Sequence, residues 1–270
     1  MSTRDRKTQP YSQRLSAELL LRSVRNERDV ERFAAFNTAI NGADQGITCD
    51  RLLRYHPKVG YDDFLLIEDE RRGEIVSATC LIPWRCRFGS VTLDVAMLEM
   101  VATHPDYRRQ GLVRKQIERF HQVVNEQGFD LSIIEGIPYY YRQFGYAYAT
   151  DHYGYDSLPA WRIPPATPDQ GPVVTLRPAT VADVSQLTRL YAASMASLDS
   201  FTLRDERYWG FLLERASYPV WMVEDGRQRD PTGYLVKMEL AGGGVAVLEH
   251  SSPEAGVAIL QLLARETTGE

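Results

Sequence analysis

The sequence predicts a mixed α/β protein, in which a mostly antiparallel, twisted sheet with flanking helices is followed by a second, partial copy of the same arrangement. Three observations lead to this fold class. Strand-like runs in residues 19–103 give way to a helical pattern over residues 112–127, prolines crowd residues 157–172, and the element order of residues 19–127 recurs after them. A chain of 270 residues is also long enough for two domains of ordinary size.

Composition excludes several broad classes. With 31 basic and 36 acidic residues the net charge is -5, which argues against a nucleic-acid binder that uses its whole surface but leaves room for a local basic patch. No apolar run approaches the roughly 20 residues that span a bilayer. We expect residues 1–18 to be a disordered lead-in, because they lack the apolar stretch of a secretory signal. Cys49, Cys80 and Cys86 show no metal-ligand spacing with the histidines, so we predict no metal site and a reducing cytoplasm.

The first part of the chain, residues 19–156, predicts one domain. A strand over residues 19–24 precedes a helix over residues 27–40, which Asn26 starts as its N-cap. A second helix over residues 49–55 ends before Pro57. Strands at 64–68, 75–87 and 91–103, joined by tight turns, then predict an antiparallel meander.

The chain next changes to a helical period. Val113, Ile117, Phe120 and Val124 recur at spacings of four, three and four, which predicts an amphipathic helix over residues 112–127 that ends at Gly128. The domain closes with three short elements. These are a buried strand over residues 131–134, a helix over 139–144 that Gly145 ends, and a strand over 146–155.

Residues 157–172 contain five of the 14 prolines of the chain, so we interpret them as a linker. Residues 173–270 then repeat the earlier element order. This indicates a weak internal duplication whose second copy is incomplete, because no counterpart of residues 131–155 follows. The predicted elements are a strand at 173–177, helices at 181–195 and 204–216, strands at 220–224, 233–240 and 245–248, and a helix at 252–265.

The most informative stretch is the loop that joins the strand at 91–103 to the helix at 112–127. Such a loop directs free backbone N–H groups and the positive end of the helix dipole at one point, which suits an anion. Gly111 would let the backbone approach that anion closely. Because bases at a helix start oppose the dipole, a bound polyanion explains the five bases here better than a solvated basic helix start does. They are Arg108, Arg109, Arg114, Lys115 and Arg119.

This loop and two flanking motifs resemble the GNAT N-acetyltransferase superfamily. Residues 108–113, Arg-Arg-Gln-Gly-Leu-Val, resemble its pyrophosphate-binding motif Arg/Gln-x-x-Gly-x-Gly/Ala, with Val113 as a departure. Residues 101–105 resemble its Val-x-Pro strand end, and residues 141–146 its closing motif Tyr-x-x-Phe-Gly-Phe/Tyr. The tyrosine run at 139–141 and the appended second segment resemble the enhanced-intracellular-survival branch, which has tandem GNAT domains and a sterol-carrier-like domain without a counterpart in these 270 residues.

The resemblance implies direct transfer of the acetyl group of acetyl-CoA, as cosubstrate, to the amine of a small-molecule or peptide acceptor. It makes Tyr141 the general acid for the departing thiolate, with aromatic packing as the alternative role. Tyr139 and Tyr140 are expected to pack or to line the substrate. The implied cofactor-binding residues are Met100, Val101, Thr103, Arg108, Arg109, Gln110, Gly111, Leu112, Val113 and Arg114.

A base is also needed, because an ammonium must lose a proton before it attacks. In the strand at 91–103, Glu99 falls on the apolar face with Met97 and Val101 if no bulge intervenes, and a carboxylate there is out of pattern. Glu99 is therefore the first candidate base, although a bulge would turn it to solvent. Glu135 is the second candidate, and we expect His104 to have a turn or surface role.

The second copy is an internal comparison for the cofactor loop. Residues 248–254 have no Arg-x-x-Gly and carry acids where the first copy has bases, so we expect this copy not to bind coenzyme A but to wall the acceptor cleft or form homo-oligomer contacts. We place the aromatic residues of this copy in the core in preference to an interface. They are Trp209, Phe211, Tyr218 and Trp221.

Two other functions remain open for the whole chain. One is a non-catalytic acyl-CoA-binding module, and the other is a nucleic-acid binder that uses the basic loop.

Overall fold

The computed structural model describes residues 9–150, 156–165, 174–215, 218–226, 230–240, 244–251 and 256–268. The chain divides into two compact units. The first is Met1–His152 with Asp199–Leu203, and the second is Tyr153–Leu198 with Arg204–Glu270. The six helices of the described residues are each too short or too polar to span a bilayer.

The described residues contain eleven strands and six α-helices. The strands are β1 Ser12–Arg14, β2 Leu19–Ser23, β3 Phe64–Asp69, β4 Glu74–Phe88, β5 Val91–Thr103, β6 Leu131–Ile133, β7 Val174–Pro178, β8 Ser200–Thr202, β9 Val220–Asp225, β10 Gly233–Leu240 and β11 Gly244–His250. The helices are α1 Glu27–Asn41, α2 Ala43–Tyr55, α3 Leu112–Gln127, α4 Val184–Met195, α5 Glu206–Arg215 and α6 Gly256–Thr268.

A seven-stranded sheet forms the centre of the first unit. Its strands follow the order β1-β2-β3-β4-β5-β6, and β8 pairs with the far end of β4. All neighbours are antiparallel except β5 and β6, which run parallel. The predicted meander of β3, β4 and β5 is confirmed.

Helices cover both faces of this sheet. Phe64 packs edge-on against Phe33 of α1, whereas the next residue, Leu65, belongs to a cluster with Leu112 of α3. Since successive side chains of a strand point to opposite faces, α1 and α3 lie on opposite sides of the sheet. The side chain of Asn26 caps α1 as predicted, and α3 has the predicted bounds.

Helix α2 begins six residues earlier than the predicted start at residue 49. Gly42 and Gly46 weaken the helical signal there, because glycine is a poor helix former. The reason for Gly46 is tertiary, since an added Cβ would lie 2.8 Å from the backbone oxygen of Ala34 in α1. The glycine thus lets α1 and α2 pack closely.

Three other predictions for the first unit are wrong. The lead-in is ordered at residues 12–14, where β1 pairs with β2, while residues 1–8 lie outside the described residues. Strand β6 is not buried, because it is a short strand at the end of the sheet order, with Leu131 37% and Ile133 36% exposed. Residues 146–150 form no strand. Instead, the Tyr146 hydroxyl forms a hydrogen bond with Ser132 Oγ of β6 at 2.7 Å. Residues 151–155 lie outside the described residues.

The second unit has a four-stranded antiparallel sheet in the order β11-β10-β9-β7. Its predicted elements are confirmed to within four residues at each end, and the strand at 233–240 has the predicted bounds, with positions 173, 216 and 252–255 outside the described residues. Trp209 is fully buried between Tyr191 and Tyr234, as the core prediction requires. Tyr218 is not a core residue, because 45% of it is exposed.

An arginine joins the same three elements in each unit. In the first, Arg22 of β2 donates to both carboxylate oxygens of Asp29 in α1, at 2.6 and 2.9 Å, and to Glu68 of β3. In the second, Arg177 of β7 donates to both oxygens of Asp183, immediately before α4, and to Glu224 of β9. In each unit, equivalent ion pairs therefore connect the strand before the first helix (β2 or β7), the start of that helix and the strand paired beside it (β3 or β9).

Replacing Arg22 with Met should lower the free energy of unfolding by about 3 kcal/mol, because it removes the bidentate partner of the buried Asp29 and leaves Arg32 as the remaining cation beside Asp29 and Glu68. Burial opposes the charge of Asp29, but the hydrogen bonds and charge of Arg22, the Arg25 N–H and the charge of Arg32 together hold the pKa of Asp29 below its usual value. Urea unfolding measures the loss. The matched control is Arg71→Met, since Arg71 pairs with Glu18 at the surface and should change stability by less than about 0.5 kcal/mol. Equal losses in the two variants would contradict this assignment.

Candidate active site

A β-bulge interrupts β5 near its end. Ala78 of β4 lies opposite Ala102, but Cys80 lies opposite Glu99, so β5 contains one residue more than β4 across this step. Met100 has a φ of 56° at this point. The bulge is therefore built around a non-glycine residue in the left-handed region, a conformation that costs free energy and that clusters at functional sites.

The bulge changes which side chains share a face. Glu99 precedes it and stays on the face of Met97, whose sulfur accepts a hydrogen bond from Trp84 Nε1 at 3.3 Å. Val101 follows it and packs on the opposite side, with Ile117 of α3. The expectation that Glu99 and Val101 share a face is therefore wrong, and the bulge does not turn Glu99 to solvent because it begins after that residue.

Glu99 is partly buried, and burial raises its pKa to about 7, with the nearby charge of Glu135 adding to the effect. The carboxyl therefore changes its charge near neutral pH. Glu135 itself is exposed at the end of the β6 segment. The two candidate bases thus lie close enough to interact, but only one is held in a desolvated environment.

A gap opens where β5 and β6 separate. The two strands pair only from Val95–Leu131 to Met97–Ile133, and β5 then bulges away. A cavity of about 570 Å³ lies in the first unit, within the usual size range of small-molecule sites. Its walls come from the end of α1, the bulged end of β5, the start of α3 and the segment after β6. The lining residues are Ile40, Asn41, Val101, Ala102, Thr103, Tyr107, Arg108, Arg109, Gly111, Leu112, Val113, Arg114, Ile137, Tyr140, Tyr141, Gln143 and Phe144.

The start of α3 supplies the polar wall of this cavity. Gly111 is the N-cap, with a φ of 75° and no side chain to accept from the first N–H groups of the helix. Those groups and the helix dipole are left for another acceptor. Arg109 also has a positive φ, of 62°. Arg108, Arg109 and Gly111 all line the cavity, so the loop places two cations and the start of the helix beside it, as an anion site requires.

Only three of the five bases of this loop line the cavity. Lys115 pairs with Glu118 at 2.8 Å, and Arg119 pairs with Glu126 and lies over the Tyr11 ring. The interpretation of all five as one polyanion site is thus too broad. Arg108, Arg109 and Arg114 remain as its cations.

The opposite end of the cavity is formed by a 3-10 turn, Tyr140–Phe144, closed by Gly145 as predicted. The Tyr141 ring packs edge-on against Tyr140 and Tyr146, with centroids at 5.0 and 6.2 Å. Burial raises the pKa of Tyr141 to about 12. Tyr141 both packs and lines the cavity, so its two sequence-based roles are compatible.

Arg114 connects the two ends of the site. Its guanidinium donates to Gln143 Oε1 at 2.8 Å and lies 5.0 Å from the centre of the Phe144 ring. The start of α3 is thereby linked to the turn that carries Tyr141. This contact is a reason for Arg114 to occupy the first turn of the helix even though its charge opposes the dipole there.

The remaining predicted residues occupy different places. Thr103 lines the cavity, and its hydroxyl lies 3.0 Å from Ser77 Oγ. Met100 is buried in the bulge, and the Gln110 amide donates to the Asp106 oxygen outside the cavity lining. His104 accepts from the Asp106 N–H, as a turn role predicts. The three cysteines are buried, and burial raises the pKa of each thiol.

Sequence reasoning missed several lining residues. Ile40 and Asn41 come from the end of α1, and Tyr107 precedes the arginines. Tyr107 is held by its hydroxyl, which donates to Asp69 at 2.7 Å. No local pattern marks Ile40 and Asn41, because only the packing of α1 brings them to the cavity. Ile137 also lines the cavity. Its place two residues before the tyrosine run at 139–141 is a sequence signal that could have identified it.

Comparisons with known proteins agree with this fold. Residues 21–149 match the family model described as an acetyltransferase (GNAT) domain. No curated protein sequence matches this chain. Three of the solved structures that are similar in fold have TM-scores of 0.65, 0.62 and 0.65.

One is a conserved protein of unknown function from Enterococcus faecalis, a probable N-acyltransferase, with 15% identity over 93% of this chain and 63% of that chain and a TM-score of 0.65. The second is a GCN5-related N-acetyltransferase from Anabaena variabilis, with 15% identity, the same coverage and a TM-score of 0.62. The third is an N-myristoyltransferase from Saccharomyces cerevisiae with bound myristoyl-CoA, with 11% identity over 97% and 77% and a TM-score of 0.65.

The chain therefore spans less than two thirds of the length of the Enterococcus and Anabaena proteins. Identities of 11–15% establish a shared fold. The family match covers all elements that line the cavity, from α1 to the turn that carries Tyr141. Residues 21–149, a little under half of the chain, are accordingly similar to the acetyltransferase (GNAT) domain family.

Proposed function

We propose that the first unit binds acetyl-CoA and transfers its acetyl group directly to an amine. The observation that carries the proposal is that one cavity joins the basic start of α3, the bulged end of β5 and Tyr141. A diphosphate fits the first, because Arg108, Arg109 and the uncapped N–H groups around Gly111 converge there. The pantetheine arm would then run along Val101 and Thr103 toward the gap between β5 and β6.

The reaction needs a base and an acid; Tyr141 lines the cavity, whereas Glu99 lies outside its lining but close enough for its charge to act on Tyr141. Glu99, with its pKa of about 7, takes a proton from the acceptor ammonium at neutral pH. The resulting amine attacks the thioester carbonyl, a C–N bond forms, and the C–S bond breaks. Tyr141 donates its proton to the departing sulfur and regains one from the product nitrogen, so that an amide and a free thiol result.

The length of the acyl group and the kind of acceptor are separate questions from the transfer itself. The yeast neighbour binds myristoyl-CoA, so the fold accommodates long acyl groups as well as short ones. We favour a small-molecule or peptide amine as the acceptor, because Glu99 and Glu135 lie close enough for their charges to interact and would together attract a cation.

We also infer that the second unit is a partial copy of the GNAT fold without a cofactor site. Three features support this origin. Its antiparallel order repeats that of β2 to β5, Arg177 repeats the contacts of Arg22, and β11 has a bulge opposite Val236 and Lys237 as β5 has one opposite β4. At the strand end that corresponds to the cofactor loop, Glu249 pairs with Arg204 at 2.7 Å. We therefore assign residues 19–156 to the catalytic domain, 157–172 to a linker and 173–270 to the copy.

A thiol-release assay tests the proposed function. Wild-type protein is supplied with acetyl-CoA or myristoyl-CoA and a panel of diamines, aminoglycosides and lysine peptides. We expect release of free coenzyme A that depends on both an amine and the acetyl thioester. Tight binding of acetyl-CoA without thiol release for any amine would overturn the proposal in favour of a non-catalytic acyl-CoA-binding module.

A further inference from the structure

Gly136, two residues after Ile134 at the end of the β6 segment, lies directly against the ring of Tyr141. A Cβ added at residue 136 would be 2.3 Å from Cδ2 and 2.6 Å from Cε2 of that ring. Non-bonded carbon atoms are in contact at about 3.5–4.0 Å. Any side chain at this position would therefore overlap the Tyr141 ring.

Backbone conformation does not explain this glycine. Gly136 is not among the residues with positive φ, unlike Gly111 and Gly145, around which an added Cβ would meet nothing within 4 Å. The reason for a glycine at 136 is thus steric. It leaves the space that the ring of Tyr141 occupies.

The ring has little freedom to move away from an added methyl group. Tyr140, Phe144 and Tyr146 pack around it, with centroids at 5.0, 6.4 and 6.2 Å. The turn is also fixed at its ends. The Tyr139 N–H donates to the Tyr148 hydroxyl at 2.5 Å, and the Tyr146 N–H donates to the backbone carbonyl oxygen of Tyr141. A methyl group at 136 would force the ring out of this packing.

We propose that Gly136 is a positioning residue for Tyr141, because the absence of a side chain at residue 136 leaves the space that the Tyr141 ring needs to reach its position in the cavity. The catalytic part of this inference rests on the proposed function, in which Tyr141 protonates the thiolate. The steric part does not, since it concerns only the packing of residue 136 on the ring. The two parts have separate readouts.

A double-mutant cycle tests the proposal in the full chain. Gly136→Ala is expected to lower kcat by about 100-fold, because a misplacement near 1 Å can cost that much. The KM for acetyl-CoA should change less than about threefold, since the groups at the start of α3 are untouched. The thermal midpoint should fall by several degrees, as overpacking predicts. In a Tyr141→Ala background the same substitution should change neither kcat nor the midpoint, because the ring is gone.

Gly60→Ala is the matched control. Gly60 has a φ of -130° and open space around its Cα, so an alanine there should leave kcat and the midpoint unchanged. Wild-type kcat and midpoint in Gly136→Ala would overturn the proposal, and so would equal losses of midpoint with and without the Tyr141 ring. If the wild type transfers no acyl group, the proposed function fails, while the cycle of thermal midpoints still supports or refutes the contact.

Discussion

Tyr141→Phe should lower kcat with acetyl-CoA by about 1,000-fold, within the usual range for loss of a general acid. Phenylalanine keeps the ring against Gly136, Tyr140 and Tyr146 and removes only the hydroxyl. Because burial raises the pKa of Tyr141 to about 12, the phenol holds its proton throughout the neutral range. It gives the proton up only as the C–S bond breaks and the sulfur becomes basic.

Stopped-flow and steady-state thiol release measure this effect, and calorimetry measures cofactor affinity, which should stay within twofold. Tyr208→Phe is the matched control. Burial also raises the pKa of Tyr208 to about 12, but it belongs to the second unit and is not a lining residue of the cavity. Its turnover should equal that of the wild type. Undiminished turnover in Tyr141→Phe would remove Tyr141 as the acid.

Glu99→Gln should lower kcat/KM by about 1,000-fold above pH 7 and abolish the acid limb of the pH profile. In the wild type, the rate below pH 7 should fall about tenfold per pH unit, because the carboxyl must be ionised to accept a proton and its pKa is about 7. Initial rates between pH 5 and 9 test this. An acid limb that persists in Glu99→Gln would show that another group is the base.

Glu135→Gln separates the two candidate bases. The Glu135 charge helps to raise the pKa of Glu99, so its removal should shift the acid limb to lower pH and retain most of the maximal rate. If Glu135 is the base instead, its variant loses the rate and Glu99→Gln keeps it.

The same pKa shift predicts a change in stability. The pKa of Glu99 is raised from 4.5 to about 7 in the folded state, so the folded state holds the proton more tightly than the unfolded chain does. Ionisation of Glu99 therefore destabilises the fold as the pH rises from about 4.5 through 7. The free energy of unfolding of the wild type relative to Glu99→Gln should fall by as much as about 3 kcal/mol over this range.

Local sequence signals identified the elements that hold the cofactor loop. Asn26 and the period of Val113, Ile117 and Phe120 are short-range features, so α1 and α3 were predicted with their starts. The family motif then placed Gly111 at the helix start. These predictions succeed because capping and amphipathic periodicity act within a few residues.

The details that depend on tertiary packing could not be predicted. Nothing in the residues around Met100 marks the bulge, which decides that Glu99 and Val101 face opposite sides. Strand β8 pairs with β4 across more than 100 residues of sequence. The sequence does not distinguish Lys115 from Arg108, but in the structure Lys115 pairs with Glu118 and is not a lining residue of the cavity.

Calorimetric titration of coenzyme A into wild-type protein and into the Arg108→Ala/Arg109→Ala double variant tests the central claim most directly. Each charged contact to phosphate contributes about 1.5–3 kcal/mol, so the dissociation constant should rise tenfold or more. Lys115→Ala, which removes a base paired outside the cavity, should leave it within twofold, and pantetheine, which has no phosphate, should not distinguish the proteins. An unchanged dissociation constant for coenzyme A in the double variant would contradict a diphosphate site at the start of α3.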